Sequence, residues 1–169
     1  MSIVRKLFSI AVLVLMFVGV SSLLAGNSHE TVTQSDVGWT IPAGQCSSLP
    51  AGLTFTGSGQ RHMVVNTKEK SDGSTEIVIN DVVEGDAVDS AGGTYHWKYS
   101  NHSIDSGPAS GAPRQISMTD SFVLNGGGVH LNVGFNWRWS YSTPAEFFPP
   151  QHDWVQINTV GDPLHCDPL

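Results

Sequence analysis

His130-Leu131-Asn132-Val133-Gly134-Phe135-Asn136-Trp137-Arg138-Trp139-Ser140-Tyr141 alternates polar and apolar side chains without a break. Successive side chains of a β-strand point to opposite faces, so a period of two predicts a strand with one apolar face. Val133, Phe135, Trp137, Trp139 and Tyr141 form that face, while His130, Asn132, Asn136 and Arg138 share the other. Upstream, Gln115 to Leu124 is a second β-prone run, and Asn125-Gly126-Gly127-Gly128 joins the two. Asn-Gly supplies the positive φ angles of a tight hairpin, so the two runs are expected to pair antiparallel.

The same grammar extends toward the N-terminus. Asp72-Gly73 lies between apolar runs and predicts a turn ahead of Thr75–Val83. Tyr95, Trp97 and Tyr99 alternate within Thr94–Ser100 and fall on one face. Leu53–Gly57 and His62–Lys68 read as short strands split at Ser58-Gly59, and Asp36–Ile41 reads as a first strand or arm anchored by Trp39. A loop is expected over Asp105–Pro113, and a last short strand around Val155–Asn158. No convincing helical period appears after the N-terminal segment. The expected fold class is all-β, a small antiparallel meander barrel, with a two-sheet sandwich as the alternative. In that predicted architecture alone the chain resembles calycin-like small secreted barrels, a likeness of shape that transfers no activity.

Residues 1–26 carry Arg5 and Lys6, an apolar run from Leu7 to Val20 and the small pair Ala25-Gly26, the layout of a secretory signal helix. Cleavage is expected after Ala25 or Gly26, with sites near Ser22 left open and an uncleaved membrane anchor as the alternative. Residues 27–169 then form one secreted β-domain with no further membrane segment. Losing Arg5 and Lys6 leaves six basic residues against 15 acidic ones, a net charge of −9, which argues against a nucleic-acid partner. Seven of the acids fall between Glu69 and Asp89 and read as a solvated hairpin. Cys46 and Cys166 are the only cysteines and are expected to pair in an oxidising compartment.

No motif names a reaction. His130, Asn132, Asn136 and Arg138 are the candidate ligand-binding residues, lining a concave site in which Gly134 lets a small polar ligand approach the backbone. Asp120 is anomalous because it shares a strand face with Met118, Phe122 and Leu124. A carboxylate there must be hydrogen-bonded, and it is the weak candidate for a catalytic acid or base. The seven histidines show no metal-ligand spacing, so neither metal nor cofactor is expected, although His62, His96 and His130 would meet if their strands were neighbours. Phe147-Phe148-Pro149-Pro150 and Trp154 read as a plug for one end of the barrel or as an exposed stacking platform. Asn101-His102-Ser103 is a glycosylation sequon. The leading expectation is a non-catalytic binding or structural module for a small polar ligand, glycan or surface partner. The alternative is a secreted enzyme using Asp120 with a histidine.

Overall fold

Three tight turns set the register of the central strands. In the computed structural model, which describes residues 27–108, 113–141 and 155–169, the Gly73 N–H donates to the Lys70 carbonyl at 3.0 Å and the Gly92 N–H to the Asp89 carbonyl at 3.1 Å. Gly127 and Gly128, with φ of 54° and 81°, make the third turn between the paired residues Gly126 and Val129. Two successive positive φ angles match the right-handed twist of the flanking strands. The turn therefore sits two residues later than the Asn125-Gly126 pair suggests.

Among the described residues seven strands result: β1 (Ser28–Ile41), β2 (Phe55–Glu69), β3 (Ser74–Asp89), β4 (Thr94–Pro108), β5 (Arg114–Gly126), β6 (Val129–Tyr141) and β7 (Val155–Val160). They form one antiparallel sheet in chain order, followed by a single helical turn, α1 (Pro163–Cys166). The all-β meander is as expected; the signal helix over 1–26 and the aromatic loop with Trp154 lie outside the described residues. Leu53–Gly57 and His62–Lys68 are not separate strands. Gly57 and Gly59 lie inside β2, opposite Ala87 and Gly85 of β3.

The expected barrel needs a correction. Among the described residues β1 and β7 are the two edges of the sheet and do not pair with each other, and there is one sheet rather than the two of a sandwich. The sheet is nonetheless strongly curled. Strands four apart in a flat sheet are separated by roughly 19 Å, yet Trp39 on β1 and Phe122 on β5 meet edge to face with ring centroids 5.3 Å apart. Trp39 also meets Trp97 of β4 at 5.6 Å. A bulge at Ser35-Asp36, with Asp36 at φ 61°, lets both Gln34 and Val37 face inward and aims Trp39 and Ile41 into the core.

The concave face at that end holds the packed core: Trp39, Ile41, Phe55, Val83, Trp97, Phe122, Leu124 and Val133 among others. Where hydrogen-bonded closure is missing, a covalent link bridges the gap. Cys46, just beyond β1, is joined to Cys166 at the end of α1, and the Gln45 side-chain amide donates to the His165 carbonyl at 2.9 Å. Such bonds persist in oxidising compartments. No helix among the described residues is long and apolar enough to cross a membrane. The outward face of the central strands carries residues such as Gln60, Glu84, Lys98, Asn125 and Asn132, all exposed.

Candidate functional site

Strand alternation and register together place a polar layer inside the curl, beside the apolar core. Asp81 of β3, Asn101 of β4 and Asp120 of β5 stand directly opposite one another in one row. Arg61 and Tyr99 flank that row one step nearer the core, in line with Val83 and Phe122. The Arg61 and Asp81 side chains, 8% and 3% exposed, form an ion pair at 3.2 Å. Arg61 also donates to Gln34 Oε1 at 3.4 Å. Tyr99 donates its hydroxyl proton to Asp120 at 2.7 Å, Asn101 donates to the same oxygen at 3.1 Å, and Ser103 donates to Asn101 at 3.0 Å.

A third carboxyl reaches this layer from the chain's last residues. Asp167 follows the disulfide and accepts from the Leu169 N–H at 3.1 Å, and Leu169 packs against the core. Burial pushes the Asp120 carboxyl above its ordinary range, against the hydrogen bonds from Tyr99 and Asn101 that hold it down. Burial likewise raises Asp81; Arg61 opposes the rise and the charge of Asp120 adds to it. Tyr99 is held neutral, its hydroxyl pushed well up by burial and by Asp120.

Beyond the polar layer the concave face turns apolar again. Met63, Val65, Ile116 and Trp139 are buried there but belong to no part of the packed core cluster at the other end. Phe135 and Trp137 are partly exposed and stack on each other with centroids 4.1 Å apart. The rim is fixed by Arg114, whose guanidinium donates to Asp105 at 3.1 Å and to Thr75 at 2.9 Å, while Tyr141 donates to Asp105 at 2.6 Å. Burial, and the hydrogen bond to Asp105, push the Tyr141 hydroxyl up as well.

The sequence-predicted residues divide sharply. Asp120 is buried and paired with a tyrosine donor, as its anomalous position demands. His130, Asn132 and Arg138 are exposed on the convex side, and Asn136 is half-buried on that same side. The concave wall of β6 is made by their alternating neighbours. Nor does Gly134 make room for a ligand, because a Cβ there would lie 2.4 Å from the Asp120 carbonyl oxygen of the adjoining strand. The six described histidines are all exposed. Tyr99 and Asn101 donate to Asp120, and none of the six described histidines hydrogen-bonds it. His62, His96 and His130 sit on β2, β4 and β6, separated by intervening strands. Among the described residues no three His, Cys, Asp or Glu side chains converge to hold a metal. The sequon is closed as well, since the Asn101 amide points inward onto Asp120.

Arg61, Asp81, Asn101 and Asp167 escaped the sequence reading. Arg61 alternates with Met63 and Val65, and Asp81 with Ile79 and Val83, which is the same signal that exposes Asp120. The acidic hairpin is thus only partly solvated. Asp89 also turns inward, accepting from Ala91 N–H at 2.8 Å, Gly93 N–H at 2.9 Å and the Tyr95 hydroxyl at 2.6 Å. Asp167 gave no signal, because nothing periodic surrounds it. No known protein family, curated protein or solved structure matches the chain.

Proposed function

We propose that the chain is an exported, non-catalytic binding module whose ligand, a small polar molecule with one apolar face such as a sugar ring, sits on the aromatic shelf of β6. One observation carries this reading: the stacked pair Phe135–Trp137 faces the concave side and remains partly exposed. An aromatic face of this kind matches the C–H face of a pyranose. Polar groups fixed on rigid strands around it, such as the Asp105–Arg114–Tyr141 rim, suit hydroxyls. Export is supported by the leader-like residues 1–26 and by the Cys46–Cys166 bond.

The test is an amide NMR titration of the disulfide-bonded protein with a panel of mono- and disaccharides. Saturable shifts are expected along Phe135–Tyr141, with binding weakened about tenfold by Trp137→Ala, the size of one aromatic stacking contact. A flat titration across the panel would replace this reading with a purely structural role.

A further inference from the structure

We propose that the ligand seated on the aromatic shelf carries a primary ammonium group, met by the buried carboxyls of Asp120 and Asp81, so that an amino sugar binds in preference to a neutral one. The inference rests on the shelf reading above and adds the charge of the ligand. Two buried oxygens carry it. Asp81 Oδ1 and Asp120 Oδ1 have no hydrogen-bond partner, although the Asp81 side chain is only 3% exposed and Asp120 only 6%. Buried acceptors are nearly always paired, because one left without a donor has lost its hydration with nothing in exchange. The neighbouring donors are spent on the other oxygens. Tyr99 and Asn101 both donate to Asp120 Oδ2, and Arg61 turns its Nε to Asp81 Oδ2.

Strand pairing sets these oxygens in one row with the shelf. Asp81, Asn101, Asp120 and Phe135 stand opposite one another on β3, β4, β5 and β6 and share the concave side. Asp120 is thus the immediate cross-strand neighbour of one ring of the stacked pair, and Trp137 lies one step farther from the core. Side chains paired in this way have Cβ atoms about 5 Å apart. A ring lying on Phe135 and Trp137 therefore presents its inner edge to Asp120. The charge count names the group on that edge. The layer holds more carboxyls than cations, and Arg61 is already committed to Asp81. A hydroxyl donates to an orphaned oxygen but leaves the excess negative charge; an ammonium brings three donors and the missing charge together. The aromatic faces beside it add attraction for a cation. A bare metal ion fits less well, because among the described residues no three His, Cys, Asp or Glu side chains converge to ligate one.

The test is an NMR titration of the disulfide-bonded protein with glucose, N-acetylglucosamine, glucosamine and cyclohexylamine, at constant ionic strength because the chain is acidic. Glucosamine is expected to bind about tenfold tighter than either neutral sugar, and to move the Asn101 side-chain amide together with Phe135 and Trp137. In Asp120→Asn that preference is expected to disappear. Should the variant fail to fold, the comparison of the three sugars on the wild-type protein decides alone. Equal affinity for all three, with shifts along Phe135–Tyr141, overturns the ammonium site and leaves the shelf reading standing. Cyclohexylamine moving Asn101 while no sugar binds upholds the ammonium site and overturns the sugar reading. A glucosamine preference that survives Asp120→Asn overturns the proposal, as do amine shifts confined to exposed acids such as Glu84 and Asp86. A panel in which nothing binds overturns both readings.

Discussion

Arg61 and Asp81 show how a buried charge pair is retained inside a small β-domain. Removing one partner strands the other in a medium that cannot solvate it, whereas replacing both with apolar groups of similar shape removes the problem. Arg61→Met is therefore expected to lower the unfolding free energy by about 3–5 kcal/mol, and the double change Arg61→Met with Asp81→Leu to recover most of that loss. Urea unfolding followed by tryptophan emission measures both. A single variant costing under about 1 kcal/mol would mean that water reaches Asp81 despite its 3% exposure. The same residues also mark what is readable from a linear chain. Arg61, Asp81 and Asp120 each interrupt an apolar alternation, so each can be flagged as buried and polar from spacing alone. That Asp81, Asn101 and Asp120 stand in one row is set by pairing between strands, and no single strand contains that information.

Strands β2 and β3 are pinched together by missing side chains. Gly59 and Gly85 face each other, and a Cβ on Gly85 would come within 2.1 Å of the Ser58 carbonyl oxygen. Trp97 sits over this gap and donates its indole N–H to the carbonyls of Ser58 and Asp86 at 3.2 and 3.1 Å. The two glycines thus let one fully buried tryptophan satisfy its only donor and tie two neighbouring strands. Gly85→Ala is expected to cost about 1–3 kcal/mol through backbone displacement. Gly38→Ala, whose nearest contact for a new methyl is 3.7 Å away, should be close to neutral. Thermal melts of the two variants compare them directly, and equal melting temperatures would remove the pinch as a stabilising feature. Read locally, Ser58-Gly59 is a break between two short strands; the partner strand opposite makes Gly59 part of a packing device.

Across the chain, a sheet with two unpaired edges depends on its covalent bridge. The Cys46–Cys166 bond spans 120 residues, for which the loop-entropy relation gives about 5 kcal/mol. The Cys46→Ser/Cys166→Ser double variant is expected to lose up to that amount. Hydrogen exchange should then rise first in the 42–54 loop and the 161–169 segment, while β3 to β5 keep their protection. Loss of protection spread evenly over all strands would show instead that the curl itself needs the bridge. The binding-module reading places its chemistry on the inner side of this curl, at the aromatic end.

Local chemistry was enough to place strands over Thr75–Val83, Thr94–Ser100, Gln115–Leu124 and His130–Tyr141, the turn at Asp72-Gly73, the inward set Tyr95, Trp97 and Tyr99, and the pairing of the only two cysteines. These depend on side-chain periodicity, backbone freedom and stoichiometry, all of which are properties of short stretches or of counts. Alternation along β6 likewise separated His130, Asn132, Asn136 and Arg138 from Phe135, Trp137 and Trp139. It left open which side the sheet would bend toward. Curvature arises from the bulge at Asp36, the glycine pinch and contacts such as Trp39 with Phe122, which join strands distant in the chain. The polar set therefore went to the convex surface, and the edges stayed open, for reasons that exist only once all seven strands are in place.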